Sequence, residues 1–247
     1  MLLLFDIGNT HTHLGMANDE RVVKHVNIPT AKWFAGGAGA LVKRFVGHSG
    51  IEGAIVCSVV PRATPLARKL VRTTWNLDLL ELTAKTVRGV GIDYPKPKTI
   101  GADRLANSVA AFKRFGAPAV VVDFGTAVTF DVVDSGGSYV GGIIAPGLAA
   151  MTEYLHEKTA LLPRIKIAEP KKVIGKSTEQ AMLAGAVFGY RGLVRELIQE
   201  LKREMKAAHL PVVATGGYAA LIASGLPEIS TVEPNLTLEG LRLVWRS

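Results

Sequence analysis

The chain has 247 residues, 48% of them hydrophobic and 20% charged, with a net charge of +8. This composition excludes a disordered chain and suits one large domain or two of ordinary size with a sizeable core. A single cysteine, Cys57, excludes a disulfide framework and a cysteine metal cluster, and its apolar surroundings read as a buried strand.

The elements follow in chain order. Leu2 to Phe5 is a short apolar run that predicts a strand buried on both faces. Asp6-Ile7-Gly8 predicts a tight turn, with Gly8 free to take positive φ. His11 to Met16 and Val22 to Ile28 predict two further strands. A helix is expected over Leu41 to Val46, a strand over Ile51 to Val60, a helix over Pro65 to Trp75 and a strand over Leu77 to Leu82. Pro95 and Pro97 keep the approach to Gly101 extended. A helix over Ala102 to Phe115 follows, with Leu105, Val109 and Phe112 on one face, Asp103 in the first turn and Gly116 as the stop.

The second half repeats this order. Strands are predicted over Ala119 to Val122, Ala127 to Val133 and Tyr139 to Ile144. A helix opens at Pro146-Gly147 and a long one runs from Ser177 to about Lys206. A strand over Pro211 to Ala214, a turn at Thr215-Gly216-Gly217, a helix over Tyr218 to Ser224 and a helical tail over Leu236 to Trp245 complete the chain. The repeat predicts two similar α/β domains, 1–116 and 117–247, with the ligand between them.

Two stretches carry chemistry. Asp6-Ile7-Gly8-Asn9-Thr10 and its twin Asp123-Phe124-Gly125-Thr126 each end an apolar strand in Asp-x-Gly with a threonine close behind. Such a turn presents backbone N–H groups and a hydroxyl beside a carboxylate, which suits a phosphate carrying a divalent cation. Several other patterns fail. Gly175-Lys176-Ser177-Thr178 looks like the end of a P-loop, but Pro170 occupies the position of the required glycine; Ser177 and Gln180 fit a capping box instead. His11 and His13 share a strand face without a convincing third zinc ligand. Gly36 to Ala40 lacks the third glycine of a dinucleotide fingerprint, and no Gly-x-Ser-x-Gly occurs.

The basic charge raises nucleic acid as a partner, but the cations are dispersed and aromatic residues make up only 6%. Anionic small ligands suit the charge equally, and no nucleic acid is expected. No apolar run approaches the roughly 18 residues of a membrane span, so no membrane association is expected. Asp6 cuts an N-terminal run that lacks a basic leader, so no signal peptide is read and a cytoplasmic location is expected.

The chain resembles type III pantothenate kinases, of the actin-like superfamily that includes acetate and sugar kinases. The resemblance is carried by Asp6 to Thr10, Cys57-Ser58-Val59-Val60-Pro61, Gly101-Ala102-Asp103-Arg104 with Tyr94 upstream, and Asp123 to Ala127. It continues through Gly141-Gly142-Ile143-Ile144-Ala145-Pro146-Gly147, Gly175 to Thr178 and Thr215-Gly216-Gly217, in the family's order. It implies two tandem actin-like (ribonuclease H-like) domains, each a mixed sheet flanked by helices around a ligand cleft. It implies ATP-dependent phosphorylation of pantothenate, the first step of coenzyme A biosynthesis.

The same resemblance implies roles. Asp6, Ile7, Gly8, Asn9, Thr10, His11, Thr12 and His13 would hold the ATP phosphates, His11 to His13 through their backbone, with Asp6 serving Mg²⁺. Thr126 would contact the nucleotide and Asp123 a monovalent cation, K⁺ or NH₄⁺. Asp103 would be the general base, and Tyr94, Gly101, Ala102, Asp103, Arg104 and Thr178 would bind pantothenate. Arg104 fits a substrate carboxylate or a structural ion pair. Gly185, Gly189 and Gly192 inside the long helix each cost ~1 kcal/mol against alanine. Close packing against the chain's own strands or against a second subunit would offset that cost, and the resemblance favours a homodimer. Alternative readings are another small-molecule kinase of the superfamily, or a catalytically silent nucleotide- or nucleic-acid-binding regulator.

Overall fold

The computed structural model describes residues 1–247. The chain divides into two compact units. The first comprises Met1–Gly116, Gly137–Val140 and Asn235–Ser247, and the second Ala117–Gly136 and Gly141–Pro234.

In the first unit, β1 (Leu2–Ile7), β2 (His11–Ala17) and β3 (Val22–Pro29) form an antiparallel meander. β4 (Gly53–Ser58) pairs parallel to β1 and β5 (Leu79–Glu81) parallel to β4, giving the order β3-β2-β1-β4-β5. Side chains alternate across β1, so its apolar run feeds two cores. Leu3, Phe5 and Ile7 join Val42 and Phe45 of α2 (Ala38–Val46) and Ala67 and Val71 of α3 (Thr64–Trp75). Leu2 and Leu4 join Leu105 and Val109 of α4 (Ala102–Phe115) and Leu238 and Leu241 of α9 (Leu236–Arg246). Gly240 permits α9 to lie against α4, since a Cβ there would fall 2.0 Å from the Ala106 carbonyl oxygen. A short helix missing from the sequence reading, α1 (Ala31–Phe34), follows β3 and buries Trp33.

The second unit repeats the plan. β7 (Ala119–Phe124) pairs antiparallel with β8 (Ala127–Val133), and β10 (Val212–Thr215) lies parallel to β7. With β9 (Ser138–Pro146) and β11 (Thr231–Val232) the order is β11-β10-β7-β8-β9. Within the first unit, β6 (Gly91–Ile92), too short to read from the sequence, pairs with Ser138 and Tyr139 at the start of β9. Helices α5 (Leu148–Lys158), α6 (Thr178–Ala184), α7 (Tyr190–Glu204) and α8 (Ala219–Ala223) complete the unit.

Two local features go beyond the sequence reading. Neither Gly8 nor Gly125 uses the positive φ open to glycine. The turns close instead through Gly8 N–H to the His11 carbonyl and Gly125 N–H to the Ala127 carbonyl, both at 3.0 Å. A Cβ on Gly8 would stand 3.0 Å from that His11 oxygen, so close approach rather than handedness demands the glycine. The long helix from Ser177 is also not uniform. Gly185–Gly189 forms a π-helical segment between α6 and α7, a wider turn for which glycines are well suited.

Candidate active site

The first turn ends β1 with Asp6 in register with His13 on β2 and Cys57 on β4. Three adjacent strands therefore present a carboxylate flanked by an imidazole and a thiol. His13 Nδ1 lies 3.4 Å from Asp6 Oδ2, and the Cys57 thiol donates to Asp6 Oδ1 at 3.4 Å. Burial, reinforced by His11 and His25, lowers the pKa of His13 and disfavours a second charge there. Asp6 keeps a 16% exposed side chain, so it remains accessible while being held from both sides.

Cys57 is fully buried, and its pKa is pushed well up by burial and then by the charges of Asp6 and Asp103. It is thus an inert thiol that donates its proton, not a nucleophile. Its surroundings also reveal the site: the carboxylates of β1 and of the α4 N-terminus both act on this one sulfur. α4 packs on the face of the sheet that carries Cys57, which brings Asp103 there.

Asp103 lies in the first turn of α4, after the N-cap Gly101. Its Oδ1 accepts from the Arg104 backbone N–H at 2.9 Å. A Cβ on Gly101 would stand 2.5 Å from that oxygen, so the glycine makes room for the folded-back carboxylate. Burial raises the pKa of Asp103, opposed by the backbone N–H and the guanidinium of Arg104. A raised pKa makes the ionised carboxylate a better proton acceptor, which suits a general base.

Tyr94 is positioned by backbone pairing. Asp93 N–H donates to the Tyr139 carbonyl at 3.0 Å, and the Tyr94 and Tyr139 rings meet at 6.0 Å and 60°. The Arg104 guanidinium lies 5.7 Å from the Tyr139 ring centroid. Tyr139, 1% exposed, is the residue on which Tyr94 and Arg104 converge. The sequence offered no local signal for it, because its partners lie 35 or more positions upstream.

Asp123, Thr126 and Thr178 belong to the second unit. Two glycines cradle the second turn. Gly216, at φ +92, would bring a Cβ within 2.5 Å of Asp123 Oδ1, and Gly147 would bring one within 2.2 Å of the Thr126 carbonyl. The Pro-Gly and Thr-Gly-Gly motifs are therefore required by the shape of this turn, and a side chain at either would displace it. Ser177 caps α6 by accepting from Gln180 N–H at 3.2 Å, while Gln180 Oε1 accepts from Lys176 N–H at 2.9 Å. This supports capping over the P-loop reading. Gly175 is closed in by Ala181, to whose nitrogen a Cβ would come within 2.3 Å. Thr178, next to the cap, is exposed.

No group of three or more His, Cys, Asp or Glu is arranged to hold a metal ion. A single hard carboxylate such as Asp6 does suit Mg²⁺, which keeps several waters and shares its coordination with substrate phosphates.

A family model described as type III pantothenate kinase matches residues 2–200. A type III pantothenate kinase from Akkermansia muciniphila is 46% identical over 242 residues, covering 98% of this chain and 96% of that protein. One from Methylacidiphilum infernorum is 44% identical, covering 98% and 87%. Among solved structures, an inorganic polyphosphate/ATP-glucomannokinase from Arthrobacter superposes with a TM-score of 0.51 at 12% identity over 100% and 99% of the chains. An ethanolamine utilization protein from Carboxydothermus hydrogenoformans gives 0.54 at 16% identity over 98% and 89%. At such identities the likeness is one of fold alone. With a family model over four-fifths of its length and curated relatives over nearly all of it, the chain belongs to the type III pantothenate kinase family.

Proposed function

We propose that the protein transfers the γ-phosphoryl group of ATP to the primary hydroxyl of pantothenate, with Asp103 as general base. The observation that carries this reading is that the Cys57 thiol donates to Asp6 Oδ1 at 3.4 Å while α4, whose first turn holds Asp103, packs into the same cluster as Cys57. One carboxylate belongs to a phosphate-type turn and the other is a raised-pKa acid at a helix start. Phosphoryl transfer requires alignment and charge neutralisation more than covalent chemistry. The backbone of Asp6 to His13 would hold the phosphates. Asp6 would hold Mg²⁺, which supplies neutralisation of their charge. Asp103 would take the hydroxyl proton as the new O–P bond forms and the bond to the ADP oxygen breaks. Tyr94, Gly101, Ala102 and Arg104 would hold pantothenate, and Thr126 and Asp123 the nucleotide and a K⁺ or NH₄⁺ ion. ATP consumption that depends on pantothenate, and not on sugars or other hydroxy acids, is the expected result of a substrate panel. Turnover with a sugar but not with pantothenate would overturn the reading.

A homodimer is part of the proposal. Beyond the helix's own adjacent turns, no atom lies within 4 Å of a Cβ built on Gly185, Gly189 or Gly192, so the chain's own strands do not fill that groove. In the same unit Ile144, Tyr154, Leu161, Val173 and Ile174 are exposed, Leu161 at 89%, an apolar display that suits an interface. Two-fold symmetry makes both sites identical. Thr178 of one subunit would then reach pantothenate held by the other's Tyr94 and Asp103. Mixed dimers of Asp103→Asn and Thr178→Ala chains, made by dissociation and reassociation, are expected to recover activity that neither parent shows. A fully active monomer by light scattering would refute the arrangement.

A further inference from the structure

Beneath the first turn lies a run of polar side chains that the proposed reaction does not use. Trp33 Nε1–H donates to Thr12 Oγ1 at 3.0 Å. The Thr12 and Thr30 hydroxyl oxygens are 3.1 Å apart, and Thr30 Oγ1 donates to the Gly8 carbonyl at 2.6 Å. All three residues are buried, at 6%, 0% and 1% exposure for Trp33, Thr12 and Thr30. A hydroxyl has one proton, and that of Thr30 is committed to Gly8. Thr12 must therefore donate to Thr30, which fixes every proton in one direction, from Trp33 through Thr12 and Thr30 to the Gly8 carbonyl. Hydrogen bonds aligned in this way strengthen one another.

The relay ends on the peptide group that matters. A trans peptide holds its C=O and N–H on opposite sides. Drawing the Gly8 carbonyl into the core therefore aims the Asn9 N–H outward. The Thr30 backbone N–H also donates to the Thr10 carbonyl, at 3.0 Å, which turns the His11 N–H away from β3. Thr30 occupies the N-cap of α1, yet its hydroxyl makes no capping bond. A threonine there ordinarily caps its own helix; this one is diverted to the turn. Trp33 is anchored in turn by Phe5 of β1, with ring centroids 6.2 Å apart.

We propose that Trp33, Thr12 and Thr30 are positioning residues that set the amide groups of the first turn for the nucleotide phosphates. This rests on the reading of Asp6 to Thr10 as the phosphate turn. The test measures Mg²⁺-ATP affinity by titration calorimetry on the full chain, with KM for ATP and for pantothenate, kcat and the melting temperature. Thr30→Val keeps the shape, strands the Gly8 carbonyl and frees that peptide to rotate. It is expected to weaken Mg²⁺-ATP about tenfold, with KM for pantothenate unchanged. Thr30→Ser restores the hydroxyl and is expected to bind within about twofold of wild type. Trp33→Phe keeps an aromatic ring against Phe5, removes the first donor together with some buried volume, and is expected to weaken binding about threefold. This variant decides the matter if Thr30→Val does not fold. A folded Thr30→Val, or otherwise Trp33→Phe, that binds Mg²⁺-ATP like wild type overturns the inference. Equal loss of ATP and pantothenate affinity overturns it too, as the mark of a merely structural role. A wild-type chain that binds no Mg²⁺-ATP would instead overturn the kinase reading itself.

Discussion

Asp103→Asn is expected to lower kcat by about two orders of magnitude or more while both substrates still bind. The substitution preserves size and removes the proton acceptor. Burial raises the Asp103 pKa from its ordinary value despite the Arg104 backbone N–H and guanidinium. The base must be ionised to act. Wild-type kcat/KM should therefore fall on acidification through that raised pKa, earlier than an ordinary carboxylate would allow. The stability effect has the opposite sign. With the folded pKa above the unfolded one, the folded state holds the proton more tightly. Stability then decreases as pH rises from the unfolded to the folded value, and the ionised, partly buried carboxylate remains a cost at neutral pH. Asp103→Asn should melt higher than wild type at pH 7, with the difference shrinking in acid. Unchanged turnover in this variant would remove Asp103 from the chemistry. A lower melting temperature at pH 7 would show that its hydrogen bonds outweigh its burial.

Asp6→Ala and Asp123→Ala are expected to fail differently, although the two residues end twin strands. Asp6 is braced on both sides, by His13 at 3.4 Å and by the Cys57 thiol at 3.4 Å. Its loss should raise the Mg²⁺ concentration needed for half-maximal ATP use by roughly tenfold to a hundredfold. Asp123 is closed in by Gly216 instead, with room for no more than a hydrogen where a Cβ would stand 2.5 Å from its Oδ1. Asp123→Ala should abolish activation by potassium and leave the Mg²⁺ dependence of the residual rate in place. Rates for wild type in sodium-only and potassium buffers decide the second half. If they are equal, Asp123 does not serve a monovalent cation. If both variants lose Mg²⁺ affinity alike, the two turns do not divide the work.

What the sequence determined by itself was local. The β1 run and its twin at β7, the helix from Ala102 to Phe115 and the place of Asp103 in its first turn follow from hydrophobic period, proline and glycine. Those signals act within a few residues, so they survive without knowledge of the fold. The capping of α6 by Ser177 was legible for the same reason. Tertiary structure alone decided what depends on register. Asp6 meets His13 and Cys57 only because β2 and β4 flank β1 at those positions. Tyr139 meets Tyr94 only because β6 pairs with the start of β9. The sequence left Gly8 free to take positive φ, and only the fold shows that it does not, its backbone being constrained by a carbonyl three residues on. Thr30 and Trp33 carried no pattern at all. A hydroxyl and an indole gain their meaning here from partners 18 to 22 residues away, and burial turns those few hydrogen bonds into the support of a turn.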